Sequence, residues 1–433
     1  MIERYTTAEM KSIWSEEARL QTWFAIELAQ AKARMQMGFV PEDVVMRLYQ
    51  QSGTIDWTKF SHRMQEHERE LKHDVIAFLT TLEEFIGEDA KVLHFGMTSS
   101  DVVDTAFALS LQKSGRQILE RLDVFEKALM YQAKKYQNTV CLGRTHGQAA
   151  EITTFGLKLL SYVAEVKRDK ERLLRAIEEI SHAKLSGAVG NYGNSDPQIE
   201  ARVLSSLGLL VEPVSTQIVP RDRHAVFFNT LAVIGGCLER LAVEIRHLMR
   251  SEVGEAFEPF GSKQRGSSAM PHKKNPILTE NVTGLARLLR SYAGAALEDQ
   301  ALWHERDISH SSVERVIGPD ATTVLDFALV RMTSVIEGLV VDAERMRAHV
   351  DAVGEMIYSE SVMLKLVEKG LERQIAYGYV QQAAFESRQE HKRFLYCLAA
   401  HLEIKKYLTH QDISDLMSHD HHLRHVQTIF DRR

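Results

Sequence analysis

The chain has 433 residues, and 53 lysines and arginines against 59 aspartates and glutamates leave a formal charge of −6, the wrong sign for a general binder of nucleic acid or of an anionic membrane. Hydrophobic residues at 44% and charged residues at 26% exclude disorder and collagen-like repeats, and the length suggests about two or three domains. Cys141, Cys237 and Cys397 form no Cys-x-x-Cys pair and no disulfide framework, the N-terminus lacks the pattern of a targeting segment, and no apolar run approaches the roughly 18 residues of a membrane span, so a cytoplasmic protein is expected.

The first roughly 95 residues carry short helical patterns punctuated by Gly38, Gly53 and Gly87. No proline separates Pro41 from Pro197 or follows Pro319, so those stretches can form long helices. Apolar residues recur at helical spacing at Ile118, Leu122, Phe125 and Leu129, and again at Leu173, Leu174, Ile177 and Ile180. Between Arg223 and Glu252, Leu231, Ile234, Leu238, Leu241, Ile245 and Leu248 alternate steps of three and four, a seam for packing against other helices. The last roughly 90 residues return to short patterns around Gly354 and Gly370. No region shows sustained strand alternation. The expected class is all-α, with helical domains at 1–97, 98–346 and 347–433.

Gly266-Ser267-Ser268-Ala269-Met270-Pro271-His272-Lys273-Lys274-Asn275-Pro276 interrupts this pattern and reads as a loop. Asn275 and Pro276 fit the N-cap and first position of a helix through Val282, Leu285 and Leu289. That helix end, with Lys273, would attract a carboxylate or phosphate, although an ordinary capped Ser/Gly loop fits the composition equally well. Thr98-Ser99-Ser100-Asp101 has capping-box spacing, and His94 and Gly96 just before it would set an imidazole beside an anion site. Gly143-Arg144-Thr145-His146-Gly147 presents His146 between two glycines; most lone loop histidines are plain surface residues. His73, within Lys72-His73-Asp74, lies at the edge of an apolar helix face, where a hydrogen-bonded, half-buried histidine is the plain reading. Asp307, Ser311 and Arg315 share a helix face by one-turn spacing. His419, Asp420, His421 and His422 look like a metal tract, but neighbouring side chains on a helix diverge and no metal is expected. With no Gly-x-Gly-x-x-Gly and no P-loop, a dinucleotide or NTP fold has no support.

The Gly266 to Pro276 segment resembles the signature loop of the fumarase/aspartase superfamily, Gly-Ser-Ser-x-Met-Pro-x-Lys-x-Asn-Pro. The resemblance is to its branch acting on succinylated purine nucleotides. It extends from Met1-Ile2-Glu3-Arg4-Tyr5 through Thr98 to Asp101, Gly143 to Gly147 and Ser215-Thr216-Gln217 to Trp303 through Ser312, essentially the whole chain. It implies three helical domains, a long-helix bundle at the core of a homotetramer with shared active sites, and small nucleotide substrates. The implied reaction is β-elimination of fumarate, without cofactor or metal, from two purine intermediates; one yields AMP and the other the aminoimidazole carboxamide ribonucleotide.

By that resemblance Ser267 is the base and His146 the acid. Ser268, Lys273 and Asn275 hold the succinyl carboxylates, His73 and His94 support the acid, and Glu280 stands behind the site. Arg4, Tyr5, Arg306, Ser311 and Arg315 take phosphate and ribose, while Thr98, Ser99 and Gln217 contact the succinyl part. Lys72 and Asp74 complete the binding set, Lys72 standing where the family often has arginine, so that a point charge replaces a fork. Relatives act on malate, aspartate or argininosuccinate, and His272 also occurs in some carboxymuconate cycloisomerases, which leaves those activities as alternatives. A helical scaffold without catalysis would give Ser267, Lys273 and His146 no joint purpose.

Overall fold

A computed structural model describes residues 2–261, 263–266 and 269–432. The N-terminal stretch folds into α1 (Ala8–Trp14), α2 (Glu16–Gln36), α3 (Glu42–Ser52), α4 (Trp57–Leu71) and α5 (Asp74–Ile86). Four of these starts are capped by side chains: Thr7, Ser15, Asp56 and His73 accept from the N–H groups of Met10, Ala18, Lys59 and Ile76. Where α4 stops, Lys72 is left-handed (φ 55°), an uncommon state for a residue with a Cβ. Then follow α6 (Ser99–Lys135), α7 (Phe155–Ile180), α8 (Pro197–Leu207), α9 (Asp222–Leu248), α10 (Ile277–Glu298) and α11 (Ser309–Glu337). The chain closes with α12 (Ala343–Val353), α13 (Ser359–Glu368), α14 (Arg373–Glu390), α15 (Phe394–Ala400), α16 (His410–Leu416), α17 (His419–Leu423) and α18 (Val426–Asp431).

The expected seam is real: Leu231, Ile234, Leu238, Leu241, Ile245 and Leu248 on α9 are all at most 4% exposed. By length and composition α9 could cross a bilayer, but more than half of its apolar stretch is buried inside the protein, as in a core helix. Pro319 bounds a stretch in the sequence reading, whereas α11 runs through it. Its missing N–H deprives the residue 315 carbonyl of a helical partner. One turn on, the Thr322 hydroxyl donates to the Gly318 carbonyl at 2.8 Å and accepts from Trp14 Nε1 at 2.9 Å.

The helical class holds, and among the described residues it includes six short strands where the sequence shows no sustained alternation. β1 (Val140–Thr145) and β2 (Gln148–Thr154) form an antiparallel hairpin; β3 (His182–Ala183) pairs parallel with β4 (Leu210–Val211), and β5 (Ala256–Phe257) antiparallel with β6 (Val340–Val341). The hairpin escaped notice because Gly143 breaks any apolar alternation in β1. Its turn, His146-Gly147, has both residues left-handed (φ 53° and 75°), the type I′ geometry that matches strand twist.

Two compact units divide the chain. The first comprises Met1–Phe125, Val166–Arg240 and Asn281–Met332, and its core includes edge-to-face pairs of Phe78 with Trp23 and Phe60, at 5.4 and 5.6 Å. The second comprises Glu126–Glu165, Leu241–Glu280 and Thr333–Arg433. There Leu142 and Ile152 of the hairpin pack with Val350, Ile357 and Tyr358, while Phe394, Leu398 and Ile404 centre a separate cluster. Every cut between the units falls inside a long helix.

Candidate active site

In the second unit His146 stands exposed at the hairpin tip. Below it, Ala150 and Glu151 oppose the single residue Gly143 as a bulge, and a Cβ at Gly143 would lie 2.8 Å from the Glu151 carbonyl oxygen. Leu142 faces the core, and Arg144, two residues on and therefore on the same face, reaches Glu255. Its NH1 and NH2 donate to the two carboxylate oxygens at 3.0 and 2.5 Å, and His349 Nδ1 lies 2.5 Å from one of them. Burial pushes the Glu255 carboxyl up, but Arg144 and His349 outweigh it and hold the group below the usual range.

The described ends of the signature loop meet at Gly266, Lys273 and Asn275. Ser267 and Ser268 lie outside the described residues. A Cβ at Gly266 would fall 1.9 Å from the Lys273 carbonyl oxygen, so the glycine permits close approach of the loop to itself. Asn275 Nδ2 donates to the Gly266 carbonyl at 3.0 Å. The expected N-cap is shifted by one: α10 begins at Ile277, and the Pro276 carbonyl accepts from Glu280 N–H. Nor are the first amides free for a ligand. The Glu258 carboxylate accepts from Leu278 N–H (3.0 Å) and Thr279 N–H (3.1 Å), so the anion drawn to this helix end belongs to the chain. Lys273 and Glu280 are exposed, and the Lys273 ammonium has no partner among the described residues.

In the first unit His94 is left-handed (φ 55°) and held twice by the buried Glu27 of α2, which accepts from its backbone N–H at 2.6 Å and lies 2.7 Å from Nδ1. Only Nε2 remains for a ligand. The capping box at Thr98 is half formed: Asp101 accepts from Thr98 N–H at 2.8 Å, and its other oxygen binds the buried Lys184 ammonium at 2.5 Å. The Thr98 and Ser99 hydroxyls, half-buried, have no partner among the described residues. His73 caps α5, Nδ1 accepting from Ile76 N–H at 3.4 Å.

Asp74 and Arg315 meet at 2.6 Å, and Arg315 Nε donates to the Ser311 hydroxyl at 3.4 Å. Burial pushes Asp74 up, yet the guanidinium prevails and holds it below the usual range. A cavity of about 360 Å³ opens beside this pair, walled by Trp14, Trp23 and Phe107 with Arg19 and Ser311, within the size range of ligand pockets. Asp307 does not share the helix face as expected. It precedes α11, accepting from Trp303 and Ser309 N–H at 2.8 and 2.9 Å. Arg306 NH1 donates to Gln217 at 3.2 Å. Arg4 is exposed, while Tyr5 packs on Phe327 (5.0 Å) and its hydroxyl accepts from Asn281 at 3.3 Å.

Sequence reasoning missed Glu27, Glu255 and Glu258, and also Arg221, whose guanidinium binds Asp104 (2.8 and 2.9 Å) and Glu314 (2.7 and 3.0 Å) in the interior. Two carboxylates compete there for one cation. Asp104 is held well below the usual range although burial raises it, whereas burial pushes Glu314 up to about 7. The only sequence signal for these groups is a lone charge at an apolar position. The histidine tract packs: His419 and His422 lie against Tyr358.

The family model described as lyase matches residues 3–289, so the chain is of the lyase class. A second, described as the adenylosuccinate lyase C-terminus, matches residues 355–433. The adenylosuccinate lyase of Thermotoga maritima is 48% identical over 100% of this chain and 99% of its own; those of Synechocystis sp. and Bacillus subtilis are 44% and 43% identical over the same shares. The chain belongs to the adenylosuccinate lyase family. Among solved structures, a fumarate lyase from Mesorhizobium sp. BNC1 superposes with TM-score 0.89 at 24% identity, covering 100% of this chain and 99% of that one. A 3-carboxy-cis,cis-muconate lactonizing enzyme from Pseudomonas putida gives 0.86 at 25%, covering 99% and 96%. These two likenesses speak to the fold.

Proposed function

We propose that the chain cleaves adenylosuccinate to AMP and fumarate, and the succinylated aminoimidazole carboxamide ribonucleotide to its amide and fumarate, without a cofactor. The observation that carries this reading is similarity along the entire chain, at 43–48% identity, to proteins named adenylosuccinate lyase. Removing a proton beside a carboxylate pushes charge onto a group already negative, so the transition state is a doubly charged aci-carboxylate. Lys273 supplies a full opposing charge, with Ser268 and Asn275 holding the carboxylates. Ser267 takes the Cβ proton and His146 gives a proton to the departing nitrogen, which an imidazole can do near neutral pH. His73 and His94 support that step, with Glu280 behind it. Arg315, its NH2 held by Asp74, keeps further donors for phosphate, which the guanidinium fork suits.

Tyr5 meets α11 at Phe327, about 18 Å along the helix from Arg315 at 1.5 Å per residue, more than one phosphate spans. That distance supports a site assembled from several copies, read here as a cytoplasmic homotetramer of three-domain chains in which His146 and Ser267 come from different subunits. The test follows fumarate release from adenylosuccinate, argininosuccinate, aspartate and malate, with and without chelator. Adenylosuccinate should be cleaved in both; preference for another substrate overturns the assignment, and chelator inactivation reversed by a divalent ion overturns the cofactor-free claim. Ser267→Ala and His146→Gln should each lower turnover by about 10²- to 10⁴-fold. Mixed oligomers of the two should regain about one quarter of wild-type activity by random assortment; mixtures as inactive as the parents place both residues on one chain or give one of them the wrong role.

A further inference from the structure

In the second unit two carboxylates sit on one short segment. Glu255 immediately precedes β5 and Glu258 immediately follows it, and they are 1% and 4% exposed. Glu258 fastens the start of α10, where the signature loop ends, and Glu255 fastens the hairpin that carries His146. The segment is fixed by its backbone as well: Glu255 N–H donates to the Leu248 carbonyl, and the Glu255 carbonyl accepts from Asp342 N–H, both at 2.9 Å.

A two-stranded hairpin is marginal by itself. The base of this one is tied by Phe155 N–H to the Thr139 carbonyl at 2.8 Å and by the burial of Leu142 and Ile152. Beyond the bulge, Thr145, His146, Gln148 and Ala149 are exposed. Among the described residues of that tip, Arg144 alone has a side chain bound to the body of the unit.

We infer that Glu255, acting through the Arg144 fork, is a positioning residue that fixes where His146 stands. A bidentate pair sets orientation as well as distance, and His349 braces the same carboxylate from α12. The fork lies two residues below the imidazole, so its tilt is the tilt of the turn. This inference rests on His146 being the proton donor.

The test is a double-mutant cycle in the full chain with Arg144→Lys and His146→Gln, assayed on adenylosuccinate. Lysine keeps the charge but cannot grip both oxygens. Arg144→Lys should lower kcat about 10- to 100-fold, the scale of a misplaced catalytic group, with KM within about twofold. Added to His146→Gln it should cost nothing further. An equal loss in both backgrounds means that Arg144 acts through the fold, and overturns the inference. A His146→Gln variant with wild-type turnover overturns the proton-donor assignment and the inference with it, and that variant alone reveals it. If Arg144→Lys does not fold, His349→Asn goes through the same cycle under the same criteria.

Discussion

In the first unit the guanidinium of Arg221 is enclosed by Asp104 and Glu314 and that of Arg315 is held by Asp74, whereas in the second His146, Lys273 and Glu280 stand exposed while Glu255 and Glu258 fasten their neighbours, the Arg144 side chain and the amides of Leu278 and Thr279. A charge that fixes geometry must be satisfied inside the protein, since a buried ion without a partner costs several kcal/mol. A group that exchanges protons with a substrate must keep its donor or acceptor unspent. On the proposed roles of His146 and Lys273, the second unit separates these duties between different residues a few positions apart. Arg315 instead leans on Asp74 through one nitrogen while its other N–H donors remain.

The contrast can be broken most severely at Arg221. Arg221→Met leaves Asp104 and Glu314 buried without their cation and should cost about 3–5 kcal/mol of stability, read as a lower urea midpoint; a shift under about 1 kcal/mol would mean that the carboxylates find protons or water at little expense. A smaller effect is expected where a carboxylate only caps a helix. Glu258→Gln retains one acceptor for the amides of Leu278 and Thr279 but loses the charge at the helix dipole, a loss of about 1–2 kcal/mol. Unchanged thermal stability would show that water serves that helix end as well.

The smallest effect sharpens the comparison by pH. Arg315 is more than half exposed, so Asp74→Asn should cost only about 0.5–1 kcal/mol. Because Asp74 titrates below its ordinary value, its contribution is complete above the unfolded value of about 3.9 and fades as the pH falls through the lower folded value. Melting curves of wild type and variant should therefore converge in strong acid and differ at neutral pH. A gap that persists in acid assigns the loss to packing.

Helical periodicity made the long helices legible, because a buried stripe must recur every three or four residues and α9 records it over its whole length. The family was legible through the resemblance carried by the signature loop. The hairpin was not: β1 has six residues, and the glycine needed for its bulge erases the alternation that marks a strand. Asn275 was misplaced by one position because Asn-Pro is a frequent helix start, while here its amide closes the loop onto Gly266. Glu255 and Glu258 had no local signature. Their partners lie 111 and 20 residues away in sequence, and a charge whose partner is remote looks, in the linear chain, like any surface glutamate.

Each unit is stitched from three separated stretches, and the first is not complete until Met332. During synthesis at about 5–20 residues per second, the earliest stretch therefore waits roughly 10–40 s for the last stretch of its unit to be made. The core around Trp23, Phe60 and Phe78 of α2, α4 and α5 finds Val102 and Leu109 of α6 within that first stretch, but Ile199, Val203 and Leu204 of α8 only after the second unit has begun to emerge. The nascent chain thus keeps part of that apolar surface open for roughly 4–16 s, which makes its yield in cells depend on translation speed as well as on the stability of the finished fold.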